Sequence, residues 1–428
     1  MRNWLARDAD VVWHGFTQMA AYAGNEPLIV ERGEGRYLFD VDGRRYFDAI
    51  SSLWTCTLGH RVPELDEALR AQLDRIAHST LLGNGSRVVI ELAEALAAVV
   101  PMDRPHMVFA SDGASAVEQA LKIAFQYWTN RGIAGRTEYL ALGEAYHGDT
   151  IGSLSVGDGG FGTTVFDPLR FKVRRAPSYR DPAALAVAAS MVREAGERLA
   201  AVVVEPLVQG AAGMLIADPA SYGPLAASCR DTGTLLICDE VAVGFGRTGT
   251  LFASEQCDLQ PDLLVLGKGI TGGYLPLSVT VASPRVYDAF LGPDLSERTL
   301  YHGHSYGGNA LAAAVALRHL DLIGDPTVLA NVRARSAQLR TRLERDVRDH
   351  PAVTAVRLCG LMGAVDVDGE GTVALTPRRV AAAMVRRGVL TRSMGSAITL
   401  VPPLTTTADE VDLVVDTLVA ALAEVTAR

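Results

Sequence analysis

Short aliphatic runs recur through the middle of this chain, among them Ala201-Val202-Val203-Val204, Leu235-Leu236-Ile237 and Leu263-Leu264-Val265-Leu266. Each lacks the polar alternation of a half-exposed strand, so each reads as a strand buried on both faces. Helical segments lie between such runs. Ser115–Asn130 follows Val108-Phe109-Ala110, and another helix surrounds Tyr222–Asp231. This alternation predicts an α/β chain with a mostly parallel central sheet and crossover helices.

The two ends have a different texture. Residues 1–50 hold short strand-like pieces, Leu28-Ile29-Val30 and Tyr37-Leu38-Phe39, broken by Gly and Asp turns. After Asp325 comes an Arg-rich amphipathic helix (Val328–Asp349), then strands near Val353–Leu358 and Met362–Val367. A helix at Pro377–Arg387, a strand at Ala397–Val401 and a final helix from Ala408 complete the chain. We therefore expect a large domain over 61–324, and a smaller α+β domain made from 1–60 and 325–428.

The 428 residues are 49% hydrophobic and 21% charged, a globular composition. A net charge of -9 argues against a nucleic-acid surface. No stretch approaches the ~18 apolar residues of a membrane span. The charged start, Met1 to Asp10, has no apolar core of a signal peptide. Five scattered cysteines without CxxC spacing fit a reducing compartment and neither a disulfide framework nor a zinc site. A cytoplasmic protein, without nucleic-acid or membrane partners, is expected.

Two aliphatic runs end in charge. Leu235–Ile237 leads into Cys238-Asp239-Glu240, and Leu263–Leu266 into Gly267-Lys268-Gly269. Carboxyl ends of parallel strands are where open α/β sheets bind ligands. A lysine and an aspartate in one crevice suit pyridoxal 5'-phosphate (PLP): the amine condenses with the aldehyde, and the carboxylate pairs with the protonated ring nitrogen. The plainer alternative is a salt bridge.

Other strand ends add to the pattern. Ser111-Asp112-Gly113-Ala114-Ser115 opens a helix and suits a phosphate, contacted by the Gly113 and Ala114 amides, or is simply an N-cap. Tyr146, in Tyr146-His147-Gly148-Asp149-Thr150, offers a ring to stack on a flat cofactor or merely packs. Glu205 ends the Ala201–Val204 run as a ligand contact or a solvated strand end. Gly244-Phe245-Gly246-Arg247-Thr248-Gly249 lacks dinucleotide-loop spacing and reads as a tight loop with Arg247 salt-bridged. His302 and His304 have no third metal ligand at helical spacing, so no metal is expected, and Ser305 is available to a phosphate. Arg392 is either a carboxylate receptor or a surface arginine.

Together these motifs resemble the class III (omega) aminotransferases, PLP-dependent transferases of fold type I, over essentially the whole chain. The resemblance implies PLP on Lys268, with Asp239 at the ring nitrogen and Tyr146 against the ring. It implies Gly113 at the phosphate, and Ser305 reaching the phosphate of a partner subunit in a homodimer with shared sites. Arg392 would bind the keto-acid acceptor's carboxylate, while Phe16, Trp54 and Gly303 would line the substrate channel. Trp13–Met19, Ser51–Trp54, Tyr146–Thr150, Val208–Ala211 and His302–Ser305 are similar to one branch of the class. In that branch the amino donor is S-adenosylmethionine or, in a variety that Ala77–Gly83 and Gly269–Pro276 resemble, lysine. Leu53 and Phe16 replace a tryptophan and a tyrosine there and favour lysine. Rival readings are a broad omega-amine or diamine transaminase and a decarboxylase or aminomutase of the same fold.

Overall fold

The aliphatic runs lie at the centre of a seven-stranded sheet in the computed structural model, which describes residues 3–158, 162–368 and 375–426. Across the sheet the order is His106–Ala110, Ser278–Ala282, Leu263–Leu266, Leu235–Asp239, Leu199–Val204, Glu138–Leu142 and Arg174–Ala176. Every residue of Leu199–Val204, Leu235–Asp239 and Leu263–Leu266 is buried. Their side chains alternate between two apolar layers. Ala201, Val203, Leu235, Ile237, Leu263 and Val265 pack with Val117, Ala120 and Ala124 of the helix Gly113–Asn130. Val202, Val204, Leu236, Cys238, Leu264 and Leu266 face Ala188, Val192, Leu225 and Phe252.

One strand departs from the parallel pattern. Ser278–Ala282 runs antiparallel to both neighbours. Only residues 267–277 separate it from Leu263–Leu266, with a single short turn between. That is too short for the helical crossover a parallel return requires.

The two chain ends meet. Arg45–Asp48 pairs in parallel with Val389–Leu390, extending a sheet begun by Val30–Glu34 and Tyr37–Asp40. Phe47 and Ala49 are buried in one apolar cluster with Leu339, Leu343, Val365, Ile398 and Val415. The first strand starts at Val30, so Leu28 and Ile29 lie outside it. Expected helix starts shift by capping. Asp112 caps Gly113–Asn130, and Asp325 with Pro326 opens the helix Pro326–Asp346.

Of the acidic pair, Glu240 is structural. It is fully buried and accepts from the amides of Ala253 (2.6 Å) and Ser254 (2.8 Å). Removing it leaves two buried donors unpaired. Glu240→Ala is expected to lower stability by about 2–3 kcal/mol, seen as a lower urea midpoint at unchanged slope.

Candidate active site

Lys268 opens a short turn directly beyond Leu263–Leu266, in a left-handed conformation with φ +41. Its flanking glycines have a steric reason. A Cβ at Gly269 would lie 3.0 Å from Thr57 Cγ2, and one at Gly267 3.3 Å from Val241 Cγ1. Asp239 ends the neighbouring strand, where it pairs with Val265, three residues before the lysine. Both groups line a cavity of about 500 Å³ together with Trp54, Gly113, Ala114, Tyr146 and Glu205.

Asp239 is held rather than free. Its Oδ2 lies 2.7 Å from His147 Nδ1, and its Oδ1 accepts from the Val241 amide at 3.0 Å. Glu205 accepts from the Tyr146 amide at 3.1 Å and the Gly210 amide at 3.3 Å. Burial pushes the Glu205 carboxyl up to about 7; His147 and the two amides oppose that shift, and the charge of Asp239 adds to it. Burial also lowers the Lys268 ammonium below its ordinary value, against the pull of Asp239 and Glu205. Tyr146 donates to Asp149 at 2.8 Å, and burial followed by that bond raises its phenol.

At the far wall, Asp112 turns back onto its own helix. It accepts from Ser115 N at 2.9 Å and Ser115 Oγ at 2.7 Å. The carboxylate is thereby spent on capping, and Gly113 and Ala114 present the first turn of an 18-residue helix to the cavity. Amides of a first turn have no intrahelical partner and favour an anion. A Cβ at Gly113 would sit 2.7 Å from Val241 Cγ1, so only glycine fits this approach. A phosphate cradle, a carboxylate and an amine around one cavity are the donor set that PLP requires.

Trp54 enters the cavity from an unusual turn. Ser51, Ser52, Leu53 and Trp54 all have positive φ, at 47°, 49°, 79° and 69°. Such a left-handed run costs roughly 1–2 kcal/mol per residue for L-amino acids. It places the indole over Lys268, with Nζ 4.9 Å from the ring centroid. Gly210 leaves room for that ring, since a Cβ there would meet Trp54 Cζ3 at 3.0 Å.

The structure therefore gathers Lys268, Asp239, Gly113, Ala114, Tyr146 and Trp54. It does not bring Phe16, Gly303, Ser305 or Arg392 to the same cavity. Phe16 is 67% exposed, and Arg392 and Ser305 are also exposed. The Ser305 carbonyl accepts from His78 Nε2 at 2.8 Å, and Gly303 lies beside Leu82. Thus the Ala77–Gly83 and His302–Ser305 segments share one surface. Arg247 is not salt-bridged: it is buried, donates from Nη1 to the Pro402 carbonyl at 2.6 Å, and meets no carboxylate among the described residues. Burial pulls it down to about 10. His147 and Glu205 belong to the site more firmly than their motifs suggested. The signal was there, for Glu205 directly follows the buried strand Leu199–Val204, and His147 lies in the loop after the strand Glu138–Leu142.

The Aminotransferase class-III family matches residues 19–422, and the chain belongs to that family. It is a PLP-dependent aminotransferase of fold type I. The chain is 45% identical to the adenosylmethionine-8-amino-7-oxononanoate aminotransferase of Nitratidesulfovibrio vulgaris, over 98% of this chain and 81% of that protein. The crystal structure of the same-named enzyme from Methanocaldococcus jannaschii superposes with a TM-score of 0.93 at 37% identity, covering 98% of both chains. An amine transaminase from an uncultivated Pseudomonas species, solved with PLP bound, superposes at 0.90 with 35% identity over 97% of this chain and 98% of that one.

Ionised Glu205 favours a charged lysine beside it. Glu205→Gln is therefore expected to lower the Lys268 pKa in the cofactor-free chain. The chain has three lysines, Lys122, Lys172 and Lys268, so a titration of ¹³C-methylated lysines resolves the shift.

Proposed function

We propose that this chain aminates 8-amino-7-oxononanoate to 7,8-diaminononanoate in biotin biosynthesis, with PLP carried on Lys268. The observation that carries the placement is Lys268 and Asp239 at adjacent strand ends, facing one cavity with the Gly113 helix terminus. The substrate rests on the names of full-length relatives at 37–45% identity. Bound there, PLP supplies an electron sink for the carbanion formed at the donor's Cα.

The protein's own part follows from its geometry. Burial lowers the Lys268 Nζ pKa, a shift toward the neutral amine that takes the Cα proton and returns it. Asp239, its orientation fixed by His147 at 2.7 Å, would accept from the ring nitrogen. Gly113 and Ala114 amides would hold the phosphate, and Tyr146 would flank the ring. The family resemblance assigns the acceptor's carboxylate to Arg392, which lies outside the Lys268 cavity. Borohydride treatment of the loaded protein is expected to fix the cofactor on the peptide containing Lys268. A label on Lys122 or Lys172 would contradict the assignment.

We also propose a cytoplasmic homodimer with shared sites. Support comes from Ser305 and Gly303, which are displayed away from their own chain's Lys268 cavity on a surface shared with residues 77–83. In the dimer Ser305 donates to the phosphate bound by the other subunit. Ser305→Ala is expected to weaken PLP retention by about 1–2 kcal/mol, the loss of one donor to a charged acceptor. A monomer holding PLP as tightly as the native protein would sink this reading.

The donor has two candidates. The relatives' names carry adenosylmethionine, whereas the family resemblance, in which Leu53 and Phe16 stand for a tryptophan and a tyrosine, favours the methylene stem of lysine. Lysine is expected to convert the PLP form faster than S-adenosylmethionine at equal concentration, followed by stopped-flow absorbance. The product formed from 8-amino-7-oxononanoate separates both from a broad amine transaminase.

A further inference from the structure

A left-handed run of four non-glycine residues persists only where its surroundings over-determine it. At Ser51–Trp54 that hold is visible. Asp48, fully buried, accepts from Ser52 N at 3.0 Å and Ser52 Oγ at 2.8 Å. Its Oδ2 also meets His60 Nε2 at 2.9 Å. Ser51 Oγ donates to the Val401 carbonyl at 2.7 Å, tying the turn to the C-terminal part of the chain.

His60 is itself fixed. Its backbone exchanges two hydrogen bonds with Gly35, at 3.0 and 2.6 Å. Its ring occupies space that a side chain at Gly33 would fill, since a Cβ there would lie 2.8 Å from His60 Cβ and Cγ. Its Nδ1 faces Cys56 Sγ at 3.8 Å. Asp48, Cys56 and His60 lie close enough together to suggest a metal. The imidazole uses both nitrogens within this group, Nε2 toward Asp48 and Nδ1 toward Cys56. Burial alone would depress the His60 pKa, but the bonds to Asp48 and Cys56 outweigh it and bring it to about 10.

We propose that Asp48 and His60 are positioning residues, a clamp that sets the left-handed turn and so holds the Trp54 indole against Lys268 before cofactor and donor arrive. Neither residue lines the cavity. Both act through Trp54, which does. The inference rests on the Lys268 cavity being the PLP site, which borohydride labelling tests separately.

The test is a double-mutant cycle of His60→Ala with Trp54→Ala, read in two ways. One is the PLP dissociation constant of the cofactor-free chain; the other is the split between kcat and KM for the amino donor. In the native background His60→Ala is expected to weaken PLP binding and raise the donor KM, each about 10-fold, a coupling typical of residues sharing one network. His60→Gln keeps a donor to Asp48 and is expected to stay within about 3-fold on the same scale. In the Trp54→Ala background, His60→Ala is expected to change either quantity less than about 2-fold. Equal losses in both backgrounds would overturn the proposal, because a clamp acting through Trp54 has nothing left to hold once the indole is gone. Native PLP affinity and KM in His60→Ala would overturn it as well. Should His60→Ala fail to fold, Asp48→Asn takes its place in the same cycle.

Discussion

An ionisable amine, two carboxylates and an imidazole share one small, mostly buried volume at the carboxyl edge of the sheet, and the surrounding structure answers to that fact. Burying a charge without a partner is costly, so each group is held by a stated contact. His147 and the Val241 amide hold Asp239; the Tyr146 and Gly210 amides hold Glu205. Lys268 has Asp239 and Glu205 as opposing charges and the Trp54 face at 4.9 Å. The glycines at 113, 267 and 269 let backbones approach closely enough to assemble this set.

Much of it could be read from the chain alone, for a physical reason. Strand burial on both faces leaves a plain aliphatic signature, and a charge that ends such a run has few places to go. That is why Lys268 and Asp239 stood out, and why the sheet and its helices followed. Where the reading failed, the cause was local pairing that composition does not encode. Arg247 looked like half of an ion pair, yet its partner is the Pro402 carbonyl. Nor does sequence alone tell the two acidic neighbours apart: Glu240, beside Asp239, accepts from the buried Ala253 and Ser254 amides. The reversed strand Ser278–Ala282 depends on the length of a connection, not on its hydrophobicity.

The family resemblance put Trp54 at the substrate channel, and it lines the Lys268 cavity, but its backbone was not legible. Nothing in Ser51-Ser52-Leu53-Trp54 announces four positive φ angles, because no glycine marks them. The support lies at Asp48 and His60 and at Val401, far along the chain. Arg392, Ser305, Gly303 and Phe16 form a different case. Their residue types suit the roles the family implies, whereas one chain displays them outside its own Lys268 cavity.

The pairing of Arg45–Asp48 with Val389–Leu390 has a consequence for how the molecule is made. Chains emerge from the ribosome at about 5–20 residues per second, N-terminus first. Phe47 is therefore outside tens of seconds before Val389, its neighbour in the finished sheet, has been joined to the chain. Meanwhile the first strands have a free edge and an apolar face without cover, a state that invites pairing with other chains. The central sheet, whose strands all lie between His106 and Ala282, is complete sooner, although His106–Ala110 waits for its partner Ser278–Ala282. Birth order thus splits the molecule differently from its architecture: an interior that matures early, and a first-made segment that matures last.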